Sequence, residues 1–523
     1  MTTRSPLPTD IHSLKNVGIQ SLEDIRWPVS DDEYLSFVQA YLKAYEEVLL
    51  GLDPEIRGIL IADFAFVAFL SQASHAEAVI GRVRETGGRV EVGPLAQSMY
   101  RPDWEKLSRI EFHDSHGSRM LFRLRAFAKD LKSNDPVNLF RSMTGGGRTA
   151  LGVGSLSRLR AEYAREHGIC TRNAYMRNLL PSGWQDGKAP LALAEAADGI
   201  VHRLGGVFAD KFGFHLDLVA AAATCWKRRL GGLYKSHNSL MNRQDFPEEL
   251  LVTETARPLH RIVAASFRAT GRRAVGFHHG NATGGLVSDM LCYNELSTYN
   301  VFVCPTRVCA ESYANNYSSC RISKHQFVHT ISTESEYYKQ LHQSMTATSL
   351  PGRIENVMLM GFPMNAHRYY GVPGYFFLFQ LDLEMRLARL LKQNGYKVLY
   401  KIHPERQEGV RAFLEPLCDK IISDPFEQCW SEADALLFKY TASSTFGFAL
   451  CTNRPIVLLD HERRFWRPEH YEELARRCRM VPASMGDDQV RFDEEALLET
   501  LKRKPHPPED GYVRKFMYPH GNE

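Results

Sequence analysis

The sequence predicts an α/β protein with parallel β-sheets. Apolar runs of roughly four to seven residues alternate with stretches of helical spacing, which is typical of consecutive βαβ units. The chain has 523 residues, of which 44% are hydrophobic and 24% charged, so it is long enough for two domains with ordinary globular cores. We therefore expect two Rossmann-like domains with a cleft between them, because open parallel sheets bind ligands at the carboxyl ends of their strands.

The first of these domains is expected to begin with a polar segment that precedes residue 31. The spacing predicts an amphipathic helix over 31–50, followed by a strand over 58–64, a helix over 65–84 and a strand over 88–92. This strand–helix–strand unit would open a Rossmann-like domain on the acceptor side of the cleft. Residues 100–245 are rich in arginine and in helical spacing, and we interpret them as a helical insertion.

A glycine-rich segment over 144–154 is similar in composition to a phosphate-binding loop. It lacks the Gly-Lys-Ser/Thr ending of a P-loop, and no strand is predicted before it. We interpret it as a mobile loop near the acceptor rather than as a nucleotide site.

Two histidines follow a strand predicted over 273–277. His278 and His279 stand directly before Gly280, whose missing Cβ permits a tight turn that leaves a neighbouring ring exposed. An imidazole titrates near neutral pH and can act as a general base toward a hydroxyl group. The pair is therefore a candidate catalytic site, and the alternative is that both histidines are structural.

The second half of the chain has the clearest succession of strands. A helix predicted over 381–393 and another over 441–451 lie between them. The strands are expected over 356–360, 375–379, 397–403, 420–424, 433–440 and 455–460.

The predicted domain limits follow from this pattern. Residues 1–345 form the acceptor-side domain, residues 346–490 the nucleotide-donor domain, and residues 491–523 a helical, basic tail that packs back on the first domain.

Polar side chains stand at the carboxyl ends of two of these strands. His403 ends the strand over 397–403, and Pro404 fixes the turn after it. Ser443, Ser444 and Thr445 open the following helix, where either serine can act as the N-cap. Helix N-termini bind anions, and an imidazole can donate a hydrogen bond to a phosphoryl oxygen, so this edge predicts a phosphate site. The alternative is that these residues only cap a strand and a helix.

The order of these motifs resembles that of bacterial surface-polysaccharide transferases with the GT-B fold. That group includes the CDP-glycerol glycerophosphotransferases of teichoic acid synthesis, the polysialyltransferases and the capsule Kdo transferases. The resemblance covers roughly residues 250–460. Its matching pieces are His279-Gly280, Gly361-Phe362-Pro363, His403-Pro404, Ala433-Asp434 and Ser443-Ser444-Thr445.

The resemblance implies a GT-B-like fold whose last helix crosses back to the first domain. It implies that His279 is the catalytic base, with His278 as the second candidate, and that His403 stabilises the departing phosphate. The donor nucleotide and its phosphate would be bound by His403, Pro404, Ser443, Ser444, Thr445 and Gly361. Many retaining GT-B enzymes hold the donor ribose with a glutamate in the helix after the phosphate loop, but residues 445–453 contain no carboxylate.

The expected function is transfer of a sugar or a glycerol-phosphate-like unit from a CMP- or CDP-activated donor to a bacterial surface glycan. The donor is a substrate, so we expect no cofactor, and the helix terminus and imidazole would replace a metal ion. One alternative is a sugar-nucleotide epimerase or hydrolase on the same fold. The other is a non-catalytic scaffold protein.

Composition limits the partners. The net charge of +3 does not indicate a nucleic-acid-binding protein. The ten cysteines show no metal-binding spacing, and neither a signal peptide nor a run of about 18 apolar residues is apparent, so we expect a cytoplasmic protein. The basic clusters at 226–229, 463–467, 476–479 and 502–504 suggest peripheral contact with the inner membrane, where the glycan or lipid-linked glycan acceptor would lie.

Overall fold

The computed structural model describes residues 6–17, 26–111, 119–134, 136, 147–279, 284–287, 290, 292–362, 376–403, 407–486 and 490–519. The described strands are β1 (Leu7–Pro8), β2 (Val90–Glu91), β3 (Arg148–Val153), β4 (Ile169–Ala174), β5 (Glu249–Val252), β6 (Arg273–Phe277), β7 (Val301–Cys304), β8 (His329–Ser332), β9 (Asn356–Met360), β10 (Lys397–Lys401), β11 (Lys420–Ile422), β12 (Ala435–Phe438), β13 (Ile456–Asp460), β14 (Arg479–Met485) and β15 (Val490–Phe492).

Helices surround these strands. The α-helices of the first half are Ile11–Val17, Asp31–Leu50, Pro54–Ala62, Phe64–Glu85, Gln97–Tyr100, Trp104–Leu107, Arg119–Ser133, Arg158–Glu166, Met176–Leu179, Leu191–Phe212, Val219–Met241, Pro258–Ala269, Arg307–Ser319 and Tyr337–Thr346. Those of the second half are Phe376–Gln393, Gln407–Leu414, Phe426–Cys429, Ser444–Leu450, Pro468–Arg477, Glu494–Lys502 and Gly511–Phe516.

Two large sheets confirm the predicted α/β class. The first is entirely parallel, with the strand order β4-β3-β5-β6-β7-β8. Its strands β5 and β7 are buried along their whole length, as expected for strands covered by helices on both faces.

The second sheet has the order β11-β10-β9-β12-β13-β14-β15 and is parallel except for the β14–β15 pair. Counting from β9, its first six strands follow the 3-2-1-4-5-6 order of a dinucleotide-binding Rossmann sheet. The strand order reverses between β9 and β12, and in such sheets the ligand binds beside that reversal.

The predicted strand over 58–64 is wrong. This apolar run forms the helix Pro54–Ala62 and the start of the helix Phe64–Glu85, and both pack in the core. A short apolar run fits a strand and a fully buried helix equally well, and Pro54 in the first turn favours the helix. The predicted strand over 88–92 is reduced to β2, which pairs only with β1, so the first large sheet does not begin here.

The interpretation of 100–245 as a purely helical insertion is also wrong, because β3 and β4 lie within it. β3 occupies an internal position of the sheet, between β4 and β5. The described part of the glycine-rich segment is therefore mostly strand and not a loop. Gly152 is explained by packing, since a Cβ there would lie 2.5 Å from Thr171 Cγ2.

Two further expectations in the second half are corrected. The run 375–379 was expected to be a strand, but its described residues begin the helix Phe376–Gln393. Phe379, Leu383, Leu387 and Leu391 are buried at four-residue spacing, which is the helical period. The tail over 491–523 was expected to be helical, but it begins with the last two residues of β15.

The last described helix contacts the first half of the chain. Thr306 Oγ1, just after β7, donates a hydrogen bond of 3.1 Å to the Phe516 carbonyl. Beyond that helix, Tyr518 Oη lies 2.6 Å from His342 Nδ1. The C-terminal segment therefore links the second half of the protein back to the first.

One described helix, Phe64–Glu85, is long and apolar enough to cross a membrane. In the structure 78% of its most apolar window is buried inside the protein. This is the situation of a core helix in a soluble protein.

His75, on this helix, gives the fold a dependence on pH. The ring is buried against Trp27 and Tyr34, and burial lowers the pKa of His75 from 6.5 to about 3. At a pH between these two pKa values, His75 carries a proton in the unfolded chain but not in the folded chain. We therefore expect the free energy of unfolding to fall by about 2 kcal/mol from pH 7.5 to pH 5 on account of this group.

Urea unfolding of the wild type and of His75→Gln at several pH values tests this expectation. Glutamine does not titrate and can still accept a hydrogen bond from Trp27. The variant should lose less stability than the wild type as the pH falls. Parallel pH profiles for the two proteins would show that His75 does not cause the loss.

Candidate functional site

The carboxyl edges of the two large sheets face each other. Residues 285–287, which follow β6, form a short antiparallel bridge with residues 465–467, which follow β13. Its two backbone hydrogen bonds are 2.8 and 2.9 Å long. The Arg467 guanidinium adds hydrogen bonds to the Ser312 carbonyl, at 3.1 Å, and to Asn316 Oδ1.

A second contact joins the same two edges. The helix Tyr337–Thr346, which follows β8, packs against the helix Ser444–Leu450, which follows β12, with Tyr338 and Phe448 ring centroids 6.2 Å apart. All four connecting segments leave the carboxyl ends of strands. A ligand of either sheet would therefore be expected to bind between these two contacts, at the carboxyl ends of the strands.

The two sequence-predicted histidines of the first sheet have different surroundings. His278 is buried, its backbone N–H donates to the Val303 carbonyl at 2.9 Å, and its ring lies edge-on to Tyr313 at 5.2 Å. His279 is exposed at the carboxyl end of β6. The structure therefore makes His278 part of the core, whereas the His279 ring is accessible at the edge that faces the cleft. Gly280 lies outside the described residues.

Two glutamates at this edge were not found from the sequence. Glu254 and Glu334 lie two residues beyond the ends of β5 and β8, and their φ angles are 55° and 45°. Such angles are unfavourable for a side chain with a Cβ, cost about 1–3 kcal/mol each, and cluster at functional sites. The residue type carries no signal for this backbone conformation.

Both strained glutamates have polar neighbours. Glu254 Oε2 lies 2.8 Å from Arg257 Nε, and Glu334 Oε1 accepts a hydrogen bond of 2.6 Å from Ser332 Oγ. They add two carboxylates to an edge for which the sequence indicated mainly histidine, serine and threonine. Asp289 and Glu405 are two further acids in segments that follow predicted strands, and both lie outside the described residues.

On the second sheet the predicted phosphate-binding residues lie at one edge. His403 is half-buried just beyond the end of β10, and Ser443 follows β12. Because β10 and β12 are the two neighbours of β9, His403 and Ser443 flank the end of that central strand. Pro404 lies outside the described residues.

Of the two serines that could act as the N-cap, Ser443 caps the helix Ser444–Leu450. Its Oγ accepts a hydrogen bond of 3.1 Å from the Phe446 N–H. Ser444 is exposed and Thr445 is half-buried at the start of the helix.

Gly361, at the end of β9, is required by packing. A Cβ at this position would lie 2.5 Å from Tyr400 Oη and 2.9 Å from the Lys401 carbonyl. Its N–H donates to that carbonyl at 3.0 Å. The glycine therefore lets β9 and β10 approach closely where the strand order reverses.

A buried ion pair lies beside the point at which the strand order of the second sheet reverses. Lys439, just after β12, and Glu384, on the helix Phe376–Gln393, are fully buried, and Nζ lies 2.7 Å from Oε1. Glu384 also accepts hydrogen bonds of 2.8 Å from the Phe362 N–H and from Tyr400 Oη. The pair therefore fixes the residues that follow β9 and β12 relative to Tyr400 in β10.

A carboxylate also lies beside the serines, although the helix itself has none. Glu462, shortly after β13, accepts hydrogen bonds from Thr441 N at 2.9 Å and Thr441 Oγ1 at 2.7 Å. Glu462 could not be found in the helix after the phosphate loop, because the segment after the next strand supplies it.

Several arginines of the predicted basic clusters form ion pairs within the protein or are buried in it. Arg229 forms an ion pair with fully buried Asp63 at 2.6 Å, and Arg477 is buried. Arg464 forms ion pairs with Asp31 and Asp32. Residues 502–504 are exposed.

No protein-family model matches the chain, and no curated protein matches its sequence. Function therefore has to be inferred from the geometry of the two facing edges.

Proposed function

We propose that the protein is a GT-B-like transferase that moves a sugar or a glycerol-phosphate-like unit from a CMP- or CDP-activated donor to a bacterial surface glycan. The observation that carries this proposal is the position of His279 on one sheet edge and of His403, Ser443 and Ser444 on the edge that faces it. With these residues as base and phosphate site, the two groups that the reaction needs would come from opposite sheet edges.

The proposed reaction is a direct displacement. His279 accepts the proton of the acceptor hydroxyl while that oxygen forms a bond to the transferred group. The bond between that group and the nucleotide phosphate breaks, and the electron pair goes to the phosphate oxygen. His403 and the hydroxyl groups of Ser444 and Thr445 stabilise the charge that develops there.

The order of strands supports a nucleotide in the second sheet. The reversal between β9 and β12 is the position at which a Rossmann sheet binds its nucleotide, and both predicted phosphate-binding groups lie beside it. The nucleotide-activated donor is a substrate, so the proposed mechanism requires no cofactor.

A thermal-shift screen against CMP, CDP, UDP, GDP and ADP, with and without EDTA, tests the donor class. A ligand that binds only the folded protein raises the melting temperature by mass action. We expect selective stabilisation by CMP or CDP that persists in EDTA. Stabilisation by UDP or GDP would show that the donor carries a different nucleotide from the one proposed. No response to any nucleotide would count against the transferase.

Replacing His403 by alanine should reduce turnover about a hundredfold, which is typical for the loss of one donor to a developing oxyanion. His403 is only half-buried, so the melting temperature should change little. The measurement is kcat with the donor selected by the screen, with exposed His506→Ala as a control. Near-normal turnover of His403→Ala would remove its assigned role.

The strained glutamates favour a second function, a sugar-nucleotide epimerase or hydrolase. Enzymes of that kind use carboxylates in the cleft, and Glu254 and Glu334 supply two at the edge of the first sheet. Incubation with a nucleotide sugar in the absence of an acceptor separates the two functions. An epimerase or hydrolase converts the sugar, whereas a transferase shows almost no conversion.

The acceptor would be a glycan or a lipid-linked glycan at the cytoplasmic face of the inner membrane. The exposed cations at 502–504 are suited to peripheral contact with anionic lipid. A scaffold without catalytic activity is the remaining alternative, and it would retain its partner after replacement of His279.

A further inference from the structure

A second cavity lies apart from the cleft, with a volume of about 540 Å³. Its walls come from the helices Pro54–Ala62, Val219–Met241 and Pro258–Ala269 and from residues that precede β7 and β8. The last turns of two of these helices lead into β5 and β6. The cavity is therefore at the amino edge of the first sheet, opposite the edge that carries His279.

Arg57 is the unusual residue of this cavity. It is 7% exposed, and within the described part of the chain its guanidinium has neither a hydrogen bond nor a carboxylate within 4.0 Å. Its Nε is fully buried without a partner among those residues. Buried charges in proteins are normally paired, because leaving water without compensation is costly.

A second arginine contributes to the same wall. Arg268 donates to the Tyr299 carbonyl at 3.2 Å, and burial lowers its pKa, as does the nearby charge of Arg57. The carboxylates that line the cavity, Asp53 and Glu55, are both exposed at its rim. His325, which is exposed, is a further titratable residue that lines the cavity. The two arginines therefore give the wall two buried or partly buried cations, whereas its two acidic residues are exposed.

His237 gives the cavity a hydrogen-bond acceptor. Ser266 Oγ lies 2.7 Å from the Ile262 carbonyl and 2.9 Å from His237 Nδ1, and a hydroxyl group that donates to the carbonyl accepts a proton from Nδ1. Burial lowers the pKa of His237 to about 4, so the ring is neutral near pH 7, and in the tautomer with the proton on Nδ1 the lone pair is on Nε2. Nε2 is buried without a hydrogen-bond partner in the described structure, and Glu55 Oε1 is 3.7 Å away.

We propose that this cavity binds a small hydroxylated anion, of the class of sugar phosphates and sugar acids, with its anionic group on Arg57 and a hydroxyl group donating to His237 Nε2. The volume is that of a typical small-molecule pocket. Because it opens at the amino edge of the sheet, its ligand does not compete with the donor nucleotide. The site is independent of the proposed transferase function.

The test is titration calorimetry of the full chain with glucose 6-phosphate, glucuronate, inorganic phosphate and neutral glucose. The two hydroxylated anions should bind best, phosphate more weakly, and glucose not at all. Binding should be undiminished in the presence of saturating CMP or CDP. Equal binding of glucose and glucose 6-phosphate, competition by the nucleotide, or no binding of either hydroxylated anion would overturn the proposal.

Arg57→Met provides the decisive variant. It should weaken binding of glucose 6-phosphate at least tenfold and, at the same time, raise the melting temperature of the ligand-free protein, because it removes a buried unpaired charge. Arg321→Met is the matched control, since Arg321 is exposed and lies 3.8 Å from Glu47. It should change neither quantity, and a loss of binding as large as that of Arg57→Met would contradict a specific role for Arg57.

His237→Phe distinguishes the contribution of the ligand's hydroxyl group from that of its anionic group. The substitution removes the hydrogen-bond acceptor Nε2 but leaves Arg57 in place. It should therefore weaken the binding of glucose 6-phosphate and leave the binding of inorganic phosphate unchanged. Equal weakening of both ligands would contradict the hydroxyl contact.

Discussion

Replacing His279 by alanine should reduce turnover by about 10²- to 10⁴-fold, the usual contribution of a positioned general base. The side chain is exposed, so the variant should keep the melting temperature of the wild type. The measurement is single-turnover transfer with the donor selected by the nucleotide screen. Added imidazole should restore part of the rate, because the substitution leaves space at an accessible edge.

His278→Ala is the matched control for this experiment. His278 is buried beside Tyr313, so its replacement should lower the melting temperature, with a loss of activity that reflects unfolding. Added imidazole should not restore it. If His279→Ala turns over within a few-fold of the wild type, the base must be sought elsewhere, with Glu254 and Glu334 as the next candidates.

Replacing Lys439 by methionine should lower the free energy of unfolding by about 3–5 kcal/mol, because it leaves the buried carboxylate of Glu384 without its counter-charge. Nucleotide binding should weaken as well, since Glu384 also holds Phe362 and Tyr400 at the reversal point of the second sheet. Urea unfolding and the nucleotide-induced shift in melting temperature measure the two effects.

Lys392→Met is the control for charge removal alone. Lys392 and Asp419 are exposed and 4.0 Å apart, so the expected loss is below about 1 kcal/mol. Adding Glu384→Gln to Lys439→Met should recover part of the stability, because the remaining group is neutral. An additive effect of the two substitutions would show that the pair is not coupled.

The parts of the fold that could be predicted from sequence are those with one dominant period. The helix Asp31–Leu50 has a polar face and an apolar face, and its limits agree with the prediction. The strands β6, β9 and β10 are short apolar runs between turn residues, and they occur where predicted, although β10 ends two residues earlier. Strand pairing brings distant segments together, so their order in the sheet could not be predicted from such runs.

The errors have a common physical cause. Residues 59–62 and 378–379 are all apolar and buried, and full burial removes the polar positions that distinguish a helix from a strand. β3 was missed for the opposite reason, since Gly152 and the glycines before it lower the strand signal. That glycine is required where β3 passes close to Thr171.

The candidate site was predictable only in its residue types. Histidine and serine at strand ends were visible in the sequence, and the structure places them at facing edges. Glu254, Glu334 and Glu462 were missed because their signals are a backbone angle and a contact across strands. The buried guanidinium of Arg57 was missed too, since nothing in the sequence distinguishes it from the other arginines.

The bridge between residues 285–287 and 465–467 also sets a time scale. Its two backbone hydrogen bonds contribute only about 1–3 kcal/mol in total, so the backbone part of the bridge is broken in roughly one molecule in ten to one in a hundred at any moment. Domain motions take microseconds to milliseconds, whereas most enzymes complete 1–10³ reactions per second. In the proposed transferase, breaking and re-forming this backbone bridge would therefore be fast enough not to delay the next turnover.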